Sequence, residues 1–239
     1  MTPFGTDHSA FREALLSGRS AIAPAQAFDT SDCRTCLAAA IDGFDASPWV
    51  APMRMRRMDR TAVYALAATK LALADGGISI AADGDDRSGV ILGTWTAGGG
   101  STQIFLDALF RQGPAAAPAL LFDSTVANSA ASIVGLEHRL RGPNLTVSHK
   151  EASSLAAIVT AVDLLREGGA SALVAGGTDA VFETFFKAHD RFRVMSPDAV
   201  FSSRLAPFDA SRSGFVLGEG AASLWLERSD APGRSEGRA

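Results

Sequence analysis

Cysteine is scarce in this sequence: the 239 residues include two, Cys33 and Cys36. Two cysteines exclude a disulfide-rich framework, and their C-x-x-C spacing leaves a redox pair or half of a zinc site as functional interpretations. Zinc needs four ligands, and no second C-x-x-C or pair of histidines stands nearby. A redox pair should lie at a helix start directly after a strand. We therefore expect two small residues in a loop or helix, with no metal and no cofactor.

Long apolar runs and an excess of basic charge are also missing. No run approaches the roughly 18 apolar residues of a membrane span. The formal net charge is −4, which gives no footprint for nucleic acid or an anionic membrane. A local basic cluster remains that could meet an acidic partner, namely Arg54, Arg56, Arg57 and Arg60. The first residues lack the basic and apolar parts of a secretory signal, which predicts a cytoplasmic protein.

What is present describes a packed globule. Hydrophobic residues make up 47% of the chain and charged residues 20%, which argues against disorder. Periodicity and breakers predict helices over 8–18, 58–75, 101–112, 125–140, 152–166 and 182–192. They predict strands over 88–93, 144–148, 172–175, 215–217 and 223–226, with 20–57 irregular. Alternating strands and helices predict an α/β fold, in one domain over 1–227 with a disordered tail over 228–239.

Residues 142–155 are the most informative segment, because they predict a strand that runs directly into a helix. The sequence of this segment reads Gly142-Pro-Asn-Leu-Thr-Val-Ser-His-Lys-Glu-Ala-Ser-Ser-Leu. It resembles the nucleophile elbow of the β-ketoacyl synthases, the condensing enzymes of fatty-acid and polyketide assembly. Counting from Gly142 places Glu151 where that family carries its reactive cysteine. A chain with this scaffold and without the thiol is not expected to perform the condensation itself.

The resemblance extends over nearly the whole chain, in the family's order. Gly89-Val-Ile-Leu-Gly-Thr is similar to the family's strand and turn, Asn128-Ser-Ala-Ala to the lead-in to its elbow, and Val174-Ala-Gly-Gly-Thr-Asp-Ala to its Ala-Gly-Gly strand exit. The most specific block is Pro207-Phe-Asp-Ala-Ser-Arg-Ser-Gly-Phe-Val-Leu-Gly-Glu-Gly-Ala-Ala. The resemblance implies a thiolase-like layered fold of the αβαβα type, of which these residues correspond to roughly the N-terminal half.

Two departures from the family carry the functional expectation. Glu151 replaces the cysteine, and the His-Gly-Thr-Gly-Thr turn and later His loop of the family are not among these residues. Of the histidines present, His149 could pair with Glu151 as a base and its orienter, although a packing or interface role is favoured. His8, His138 and His189 are scattered, and we expect His138 on an exposed helix face. Lys150 and Glu151 could instead form a buried ion pair that plugs the old site, which we favour over a catalytic use.

The resemblance therefore implies a non-catalytic subunit similar to the chain-length factors of aromatic polyketide and aryl-polyene systems. Its expected partner is a full-length, Cys-bearing β-ketoacyl synthase, with acyl carrier protein as an indirect partner. The alternative is a malonyl-carrier-protein decarboxylase or loading-type synthase with Glu151 in place of the cysteine. A decayed remnant is a third possibility, and the intact glycine motifs count against it.

The residues expected to serve this function fall into three groups. No residue is expected to be catalytic. The family dimerises through the strand before the nucleophile, so the expected interface is Asn144, Leu145, Thr146, Val147, Ser148 and His149. Candidate tunnel residues are Phe105, Phe110 and Phe122. Structural roles are expected for Gly142, Pro143, Gly176, Gly177, Gly218, Glu219 and Gly220, where Glu219 accepts backbone N–H bonds in a glycine-rich turn.

Overall fold

The computed structural model describes residues 1–198 and 207–228. Most of the predicted tail over 228–239 lies outside these ranges. The chain divides into a larger unit, residues 45–179 and 221 onward, and a smaller unit, residues 1–44 and 180–220. The prediction of one domain over 1–227 stays a prediction.

The larger unit is built on a four-stranded sheet. Its strands are β3 (Ser88–Gly93), β4 (Asn144–Val147), β5 (Ala172–Asp179) and β7 (Gly220–Glu227), in the order β4-β3-β5-β7. β3 pairs in parallel with β4 and with β5, and Ile91 of β3 stands between Leu145 and Ala175. Within the described residues, β4 is therefore an edge strand.

Helices cover both faces of this sheet, which confirms the predicted α/β class. α3 (Arg60–Asp75) and α5 (Ser129–His138) lie on one face, where the Asn144 amide donates to the Ala131 carbonyl at 3.0 Å. α6 (Ser153–Arg166) lies on the other face, where Ile91 and Ala175 pack against its inner residues. The unit also contains α2 (Pro52–Met55), α4 (Gly99–Gln112) and 3-10 turns over Pro114–Ala116, Ala119–Ser124 and Lys150–Ala152.

The long apolar helix α3 follows from its sequence. Asp59 caps it, with its carboxylate accepting the Thr61 N–H at 3.1 Å, and the cap itself is buried. Ten of its residues are buried, most of them alanines or other small residues, which lets α3 lie close to α5. The other carboxylate oxygen of Asp59 accepts the Ser101 N–H at 2.9 Å and so fixes the first turn of α4.

The smaller unit holds a three-stranded sheet, in the order β1-β2-β6. Its elements are β1 (Ala23–Pro24), β2 (Leu37–Ala39), β6 (Leu217–Gly218), α1 (His8–Leu16) and α7 (Glu183–Arg191). Buried Glu219 accepts the Ile41 N–H at 2.8 Å and the Val181 N–H at 2.9 Å, which is the geometry expected of an acceptor in a glycine-rich turn. Gly218 and Gly220 flank it.

The structure differs from the predicted elements in three places. Residues 20–57 are not wholly irregular, since they contain β1, β2 and α2, which are too short for a periodicity to reveal. α5 begins at Ser129 and not at Thr125. β5 continues through Gly176 and Gly177, which the sequence had marked as its end, because both glycines are sites of close approach. A Cβ at Gly176 would lie 2.0 Å from the Ala222 carbonyl oxygen of β7.

The prediction for His138 is wrong, because its Nε2 is buried without a hydrogen-bond partner in the described part of the chain. Burial lowers the pKa of His138 below its ordinary value of 6.5, Lys70 lowers it further, and Glu137 opposes the shift.

This lowered pKa makes the stability of the chain depend on pH. Below pH 6.5 the imidazole of His138 binds a proton more readily in the unfolded chain than in the folded chain, so the free energy of unfolding should fall as the pH drops below 6.5. We expect His138→Gln to reduce this loss, measured by urea unfolding between pH 7.5 and 5.5.

His8 provides the control for this prediction, since it is exposed at the start of α1. His8→Gln should leave the acid slope of stability unchanged. An identical acid slope for wild type and His138→Gln would contradict the role assigned to His138.

Candidate functional site

The candidate site lies at the carboxyl ends of β3, β4 and β5. Because these strands are parallel, the segments that follow them meet at one edge of the sheet. Thr94 to Ala97 follow β3, His149 to Ala152 follow β4, and Asp179 ends β5. α6 begins directly after the elbow, so the positive end of its helix dipole faces this edge.

The elbow itself is a single 3-10 turn, Lys150–Ala152, between β4 and α6. Lys150 is left-handed at φ 53°, a conformation that costs a non-glycine residue about 1–2 kcal/mol. Buried Ser153 holds the turn: its hydroxyl donates to the Lys150 carbonyl at 2.5 Å and accepts the His149 N–H at 2.9 Å. Glu151 is therefore presented on a turn that the chain maintains against a conformational cost.

Glycine lets α6 approach the sheet closely at this point. A Cβ on Gly93 of β3 would lie 2.1 Å from the Ser153 carbonyl oxygen, and one on Gly177 of β5 would lie 2.4 Å from the Ser154 Cβ. Real Cβ atoms essentially never approach other heavy atoms within 3.0 Å. The first turn of α6 therefore rests directly on the backbones of β3 and β5, which fixes the elbow in position.

The charged residues of the elbow are exposed, which contradicts the expected buried ion pair. Lys150 and Glu151 are both at the surface, and no ion pair joins them within residues 1–198 and 207–228. The Lys150 ammonium instead lies 6.0 Å from the centre of the Trp95 ring, within cation–π range. His149 is also exposed, and within the same ranges no hydrogen bond joins it to Glu151.

Asp179 organises the segment that carries Trp95, and sequence reasoning had given it no role. One of its carboxylate oxygens accepts the N–H groups of Trp95 and Thr96, both at 2.8 Å, and the hydroxyls of Thr94 and Thr96 at 3.0 and 2.9 Å. The signal that could have found it is positional, since Asp179 ends one parallel strand and the Thr-Trp-Thr run follows its neighbour.

The expected interface residues occupy the open edge of the sheet. Leu145 is 44% exposed, Asn144, Ser148 and His149 are exposed, and Thr146 and Val147 are partly buried. The carbonyls of Pro143 and Val147 accept bonds from the N–H groups of Val90 and Thr94, at 2.7 and 3.0 Å. Alternate residues of a parallel strand bond to the same neighbour, so the backbone of Thr146 points away from the sheet.

The three candidate tunnel residues lie in α4 and the 3-10 turn Ala119–Ser124. The rings of Phe105 and Phe122 pack with their centres 5.8 Å apart, while Phe110 is 79% exposed.

Gly142 is also a site of close approach, since a Cβ added to it would lie 2.8 Å from the Ser88 carbonyl oxygen. No group of three or more histidine, cysteine or acidic side chains in the described ranges could hold a metal ion.

The exposure of the elbow leads to a prediction about a thiol placed there. Glu151→Cys should alkylate with iodoacetamide at least about tenfold faster at pH 7 than Cys33 or Cys36. Its thiol would be exposed at a helix N-terminus beside Lys150, a setting that lowers a thiol pKa. Burial is the first cause that raises the pKa of both native thiols, so less thiolate forms on them. Peptide mass spectrometry over a time course measures the three rates.

A Val159→Cys variant, at an exposed position in the second turn of α6, is the control for exposure alone and should react more slowly than Glu151→Cys. Equal rates at the introduced elbow thiol and at the native thiols would mean that the turn does not present its side chain as described.

Comparison with known proteins gives a family. The profile of the family described as the N-terminal domain of β-ketoacyl synthases matches residues 1–231. The granaticin polyketide putative β-ketoacyl synthase 1 of Streptomyces violaceoruber is 35% identical over 243 residues, covering 97% of this chain and 57% of that protein. The chloroplast 3-oxoacyl-acyl-carrier-protein synthase II of Arabidopsis thaliana is 33% identical over 240 residues, covering 95% of this chain and 42% of that protein.

Solved structures agree. A β-ketoacyl synthase from Burkholderia phymatum superposes with a TM-score of 0.85 at 28% identity, over 96% of this chain and 57% of that one, which confirms the thiolase-like fold. The ishigamide ketosynthase/chain length factor shares the fold at a TM-score of 0.73 and 24% identity, over 98% of this chain and 61% of that one. The chain spans about half the length of the curated relatives it matches. It is a member of the β-ketoacyl synthase family.

Proposed function

We propose that this chain is a non-catalytic, chain-length-factor-like subunit. It pairs with an active, full-length, Cys-bearing β-ketoacyl synthase and helps to shape the tunnel that holds the growing acyl or polyketide chain. The observation that carries the proposal is Glu151, which lies on the exposed turn between β4 and α6. The sequence resemblance assigns the family's nucleophile to this position.

Glutamate cannot replace the thiol in this chemistry. Decarboxylative condensation holds the acyl chain as a thioester on a thiolate and stabilises the enolate that develops from the malonyl group. A carboxylate attacking the same thioester would give an acyl-carboxylate anhydride, which water cleaves readily. The scaffold around Glu151 remains that of an elbow, with Ser153, Gly93 and Gly177 in supporting positions.

The open edge of the sheet supports the pairing. β4 ends the sheet with backbone groups that point outward, and an unpaired edge is a template for a further strand. Apolar side chains flank this edge on both faces, Leu136 on α5 and Leu155 and Val159 on α6, and all three are exposed. α6 is thus apolar on its outer as well as its inner face, which is typical of a helix buried in an assembly.

The aromatic residues of α4 and of the turn Ala119–Ser124 support a role in the tunnel. Phe122 is 61% exposed, and its ring packs against that of Phe105. Two further apolar residues of the same segments are exposed, Ile104 and Leu120. An apolar surface of this kind marks an interaction site, and an acyl or polyketide chain in a partner's tunnel is a ligand of matching polarity. We propose that Phe105, Phe110 and Phe122 face that tunnel.

Acyl carrier protein enters the proposal as an indirect partner, because it acts on the paired synthase. The basic segment at α2 of this chain is a second feature that could meet an acidic partner. Arg54 is paired with Glu137, while Arg56 and Arg57 are exposed beside it. Such a cluster attracts an acidic protein, and the attraction weakens as salt screens it.

The decarboxylase alternative receives less support. Loss of carbon dioxide from a malonyl group leaves an enolate, which hydrogen-bond donors or cations stabilise. The Glu151 carboxylate would instead repel both the malonyl carboxylate and the enolate. If this alternative holds, incubation with malonyl carrier protein releases carbon dioxide, and Glu151→Ala reduces the release.

Co-expression tests the proposal. The chain should co-purify one-to-one with the full-length, Cys-bearing synthase encoded nearest to its own gene, and size-exclusion chromatography with light scattering should give the mass of the pair. The chain alone should be less stable than the chain in the pair. A stable monomer that binds no such synthase would overturn the proposal.

A further inference from the structure

Lysine is rare in this chain, and the three lysines of the sequence are Lys70, Lys150 and Lys187. Carboxylates hold two of them. The Lys187 ammonium lies 3.0 Å from both Asp32 and Glu183, and the Lys70 ammonium lies 3.7 Å from Glu137. Lys150 is exposed, and no carboxylate of residues 1–198 and 207–228 forms an ion pair with it. Its amine therefore differs from the other two in both access and partners.

The elbow turn fixes where Lys150 lies. Its carbonyl accepts a bond from the Ser153 hydroxyl at 2.5 Å, and the same hydroxyl accepts the His149 N–H at 2.9 Å. Because the backbone is bonded on both sides of the left-handed residue, the side chain leaves the turn in a defined direction. Its ammonium lies 6.0 Å from the centre of the partly buried Trp95 ring. An exposed amine and an aromatic ring therefore lie side by side at the carboxyl edge of the sheet.

The Trp95 ring can contact either form of this side chain. Its position is set by the Asp179 carboxylate, which accepts the Trp95 N–H at 2.8 Å. An aromatic face attracts a cation, and it also packs against apolar groups. Conversion of the amine to an amide removes the charge and the cation–π contact, which leaves the ring free to contact an apolar acyl chain. The pair of side chains therefore suits a lysine that becomes acylated.

Transfer of an acyl group from a thioester to an amine needs no oxidant or reductant. The neutral nitrogen attacks the carbonyl carbon, a C–N bond forms and the C–S bond breaks. The sulfur leaves as a thiolate and takes up the proton that the nitrogen loses, so that the products are an amide and a thiol. Negative charge develops on the carbonyl oxygen during the attack, and the positive end of the α6 dipole faces this edge of the sheet.

A carboxylate partner opposes the same reaction. It stabilises the protonated amine, which has no lone pair with which to attack. The hydrogen bond to Asp32, together with Glu183, raises the pKa of Lys187 above its ordinary value. Lys187 is therefore a poor acyl acceptor, and the contact of Lys70 with Glu137 acts in the same direction.

We propose that Lys150 is an acylation site, whose amine accepts the acyl group of an acyl thioester while the Trp95 ring packs against the acyl chain. The inference rests on the function proposed above only for the class of substrate, because the transfer does not require the pairing. Acylation removes one positive charge from the elbow and adds an apolar group to it.

Peptide mass spectrometry on the free, full chain tests the site. With hexanoyl-CoA at pH 8, Lys150 should be acylated at least about tenfold faster than Lys70 or Lys187. The ratio of hexanoyl to acetyl transfer at Lys150 should exceed that on free Nα-acetyllysine by about threefold or more, because the ring contacts the longer chain. The hexanoyl thioester of acyl carrier protein is the second donor. Labelling by either donor supports the site, and the faster one identifies the source.

Three variants serve as controls. Lys150→Arg keeps the positive charge and should abolish labelling of this peptide. Trp95→Ala keeps the backbone N–H that bonds to Asp179, and should lower the hexanoyl-to-acetyl ratio to that of the free amino acid. Asp32→Asn combined with Glu183→Gln removes both carboxylates from Lys187 and should raise its rate of acylation toward that of Lys150.

The outcomes separate this inference from the proposed function. Equal rates at the three lysines would overturn the site, and a hexanoyl-to-acetyl ratio unchanged by Trp95→Ala would overturn the contact with the ring. A chain that pairs with the synthase and is not labelled at Lys150 would overturn the acylation site alone. A chain that is labelled at Lys150 and binds no synthase would support the site and overturn the pairing.

Discussion

Thr146→Pro should abolish pairing with the Cys-bearing synthase, raising the dissociation constant by about 100-fold or more. The backbone of Thr146 points to the open edge, because Pro143 and Val147 make the bonds to β3. Proline removes the outward N–H without removing a bond inside the chain, and its ring obstructs an incoming strand. The measurement is the mass of the co-expressed pair on size-exclusion chromatography with light scattering.

Thr146→Val is the matched control for that result. It keeps the backbone N–H and the shape of the side chain, and it deletes a hydroxyl that is buried without a hydrogen-bond partner in the described residues. Pairing should persist, and the stability of the free chain should be equal or slightly higher. Circular dichroism of Thr146→Pro should show a folded chain. Retention of the pair by this folded variant would mean that β4 is not the interface.

Gly93→Ala should destabilise the chain by about 3 kcal/mol or prevent it from folding. The added Cβ would lie 2.1 Å from the Ser153 carbonyl oxygen and 2.4 Å from the Ser154 nitrogen, both backbone atoms at the start of α6. Backbone atoms cannot rotate away, so β3 or α6 must shift, and overpacking of this kind is among the most costly substitutions. Urea unfolding followed by circular dichroism gives the free energy.

Gly218→Ala provides the comparison, since Gly218 also lies in a strand. Its added Cβ would meet the Ala39 Cβ at 3.6 Å, an ordinary van der Waals distance. The expected change in the free energy of unfolding is below about 1 kcal/mol. If Gly93→Ala costs no more than Gly218→Ala, the close approach of α6 to β3 is not a determinant of the elbow.

Both predictions depend on the same local geometry. The edge strand has outward backbone groups at the proposed interface, and the glycines beneath the elbow fix where that strand ends and α6 begins. The exposed Lys150 and Glu151 therefore belong to a surface next to the proposed interface, and not to a plugged interior. We infer that the turn is retained because it positions β4 and α6, whichever side chain it carries at residue 151.

The role of Glu219 as an acceptor of backbone N–H groups could be predicted from the sequence, whereas the burial of the His138 ring could not. An acid inside a glycine-rich turn has few partners other than backbone N–H groups, and Glu219 accepts two of them. The histidine ends α5 beside Lys70 and Glu137, so its burial depends on where α3 and the loop after it come to lie. Helical periodicity places His138 on a face of α5 and does not report what packs against that face.

The sequence by itself determined the fold class, the order of the main helices and strands, the family, and the position of Glu151 in the elbow. These follow from local patterns: an alanine-rich helix, parallel-strand runs and glycine motifs in a fixed order. The tertiary structure decided what contacts what. It placed Asp179 under the Thr94–Ala97 turn, extended β5 through two glycines, exposed Lys150 and Glu151, and left β4 at the edge. These features depend on pairing between segments that are distant in the chain, such as the pairing of Val90 with Asn144. A short-range sequence pattern does not encode which strand lies at the edge of the sheet.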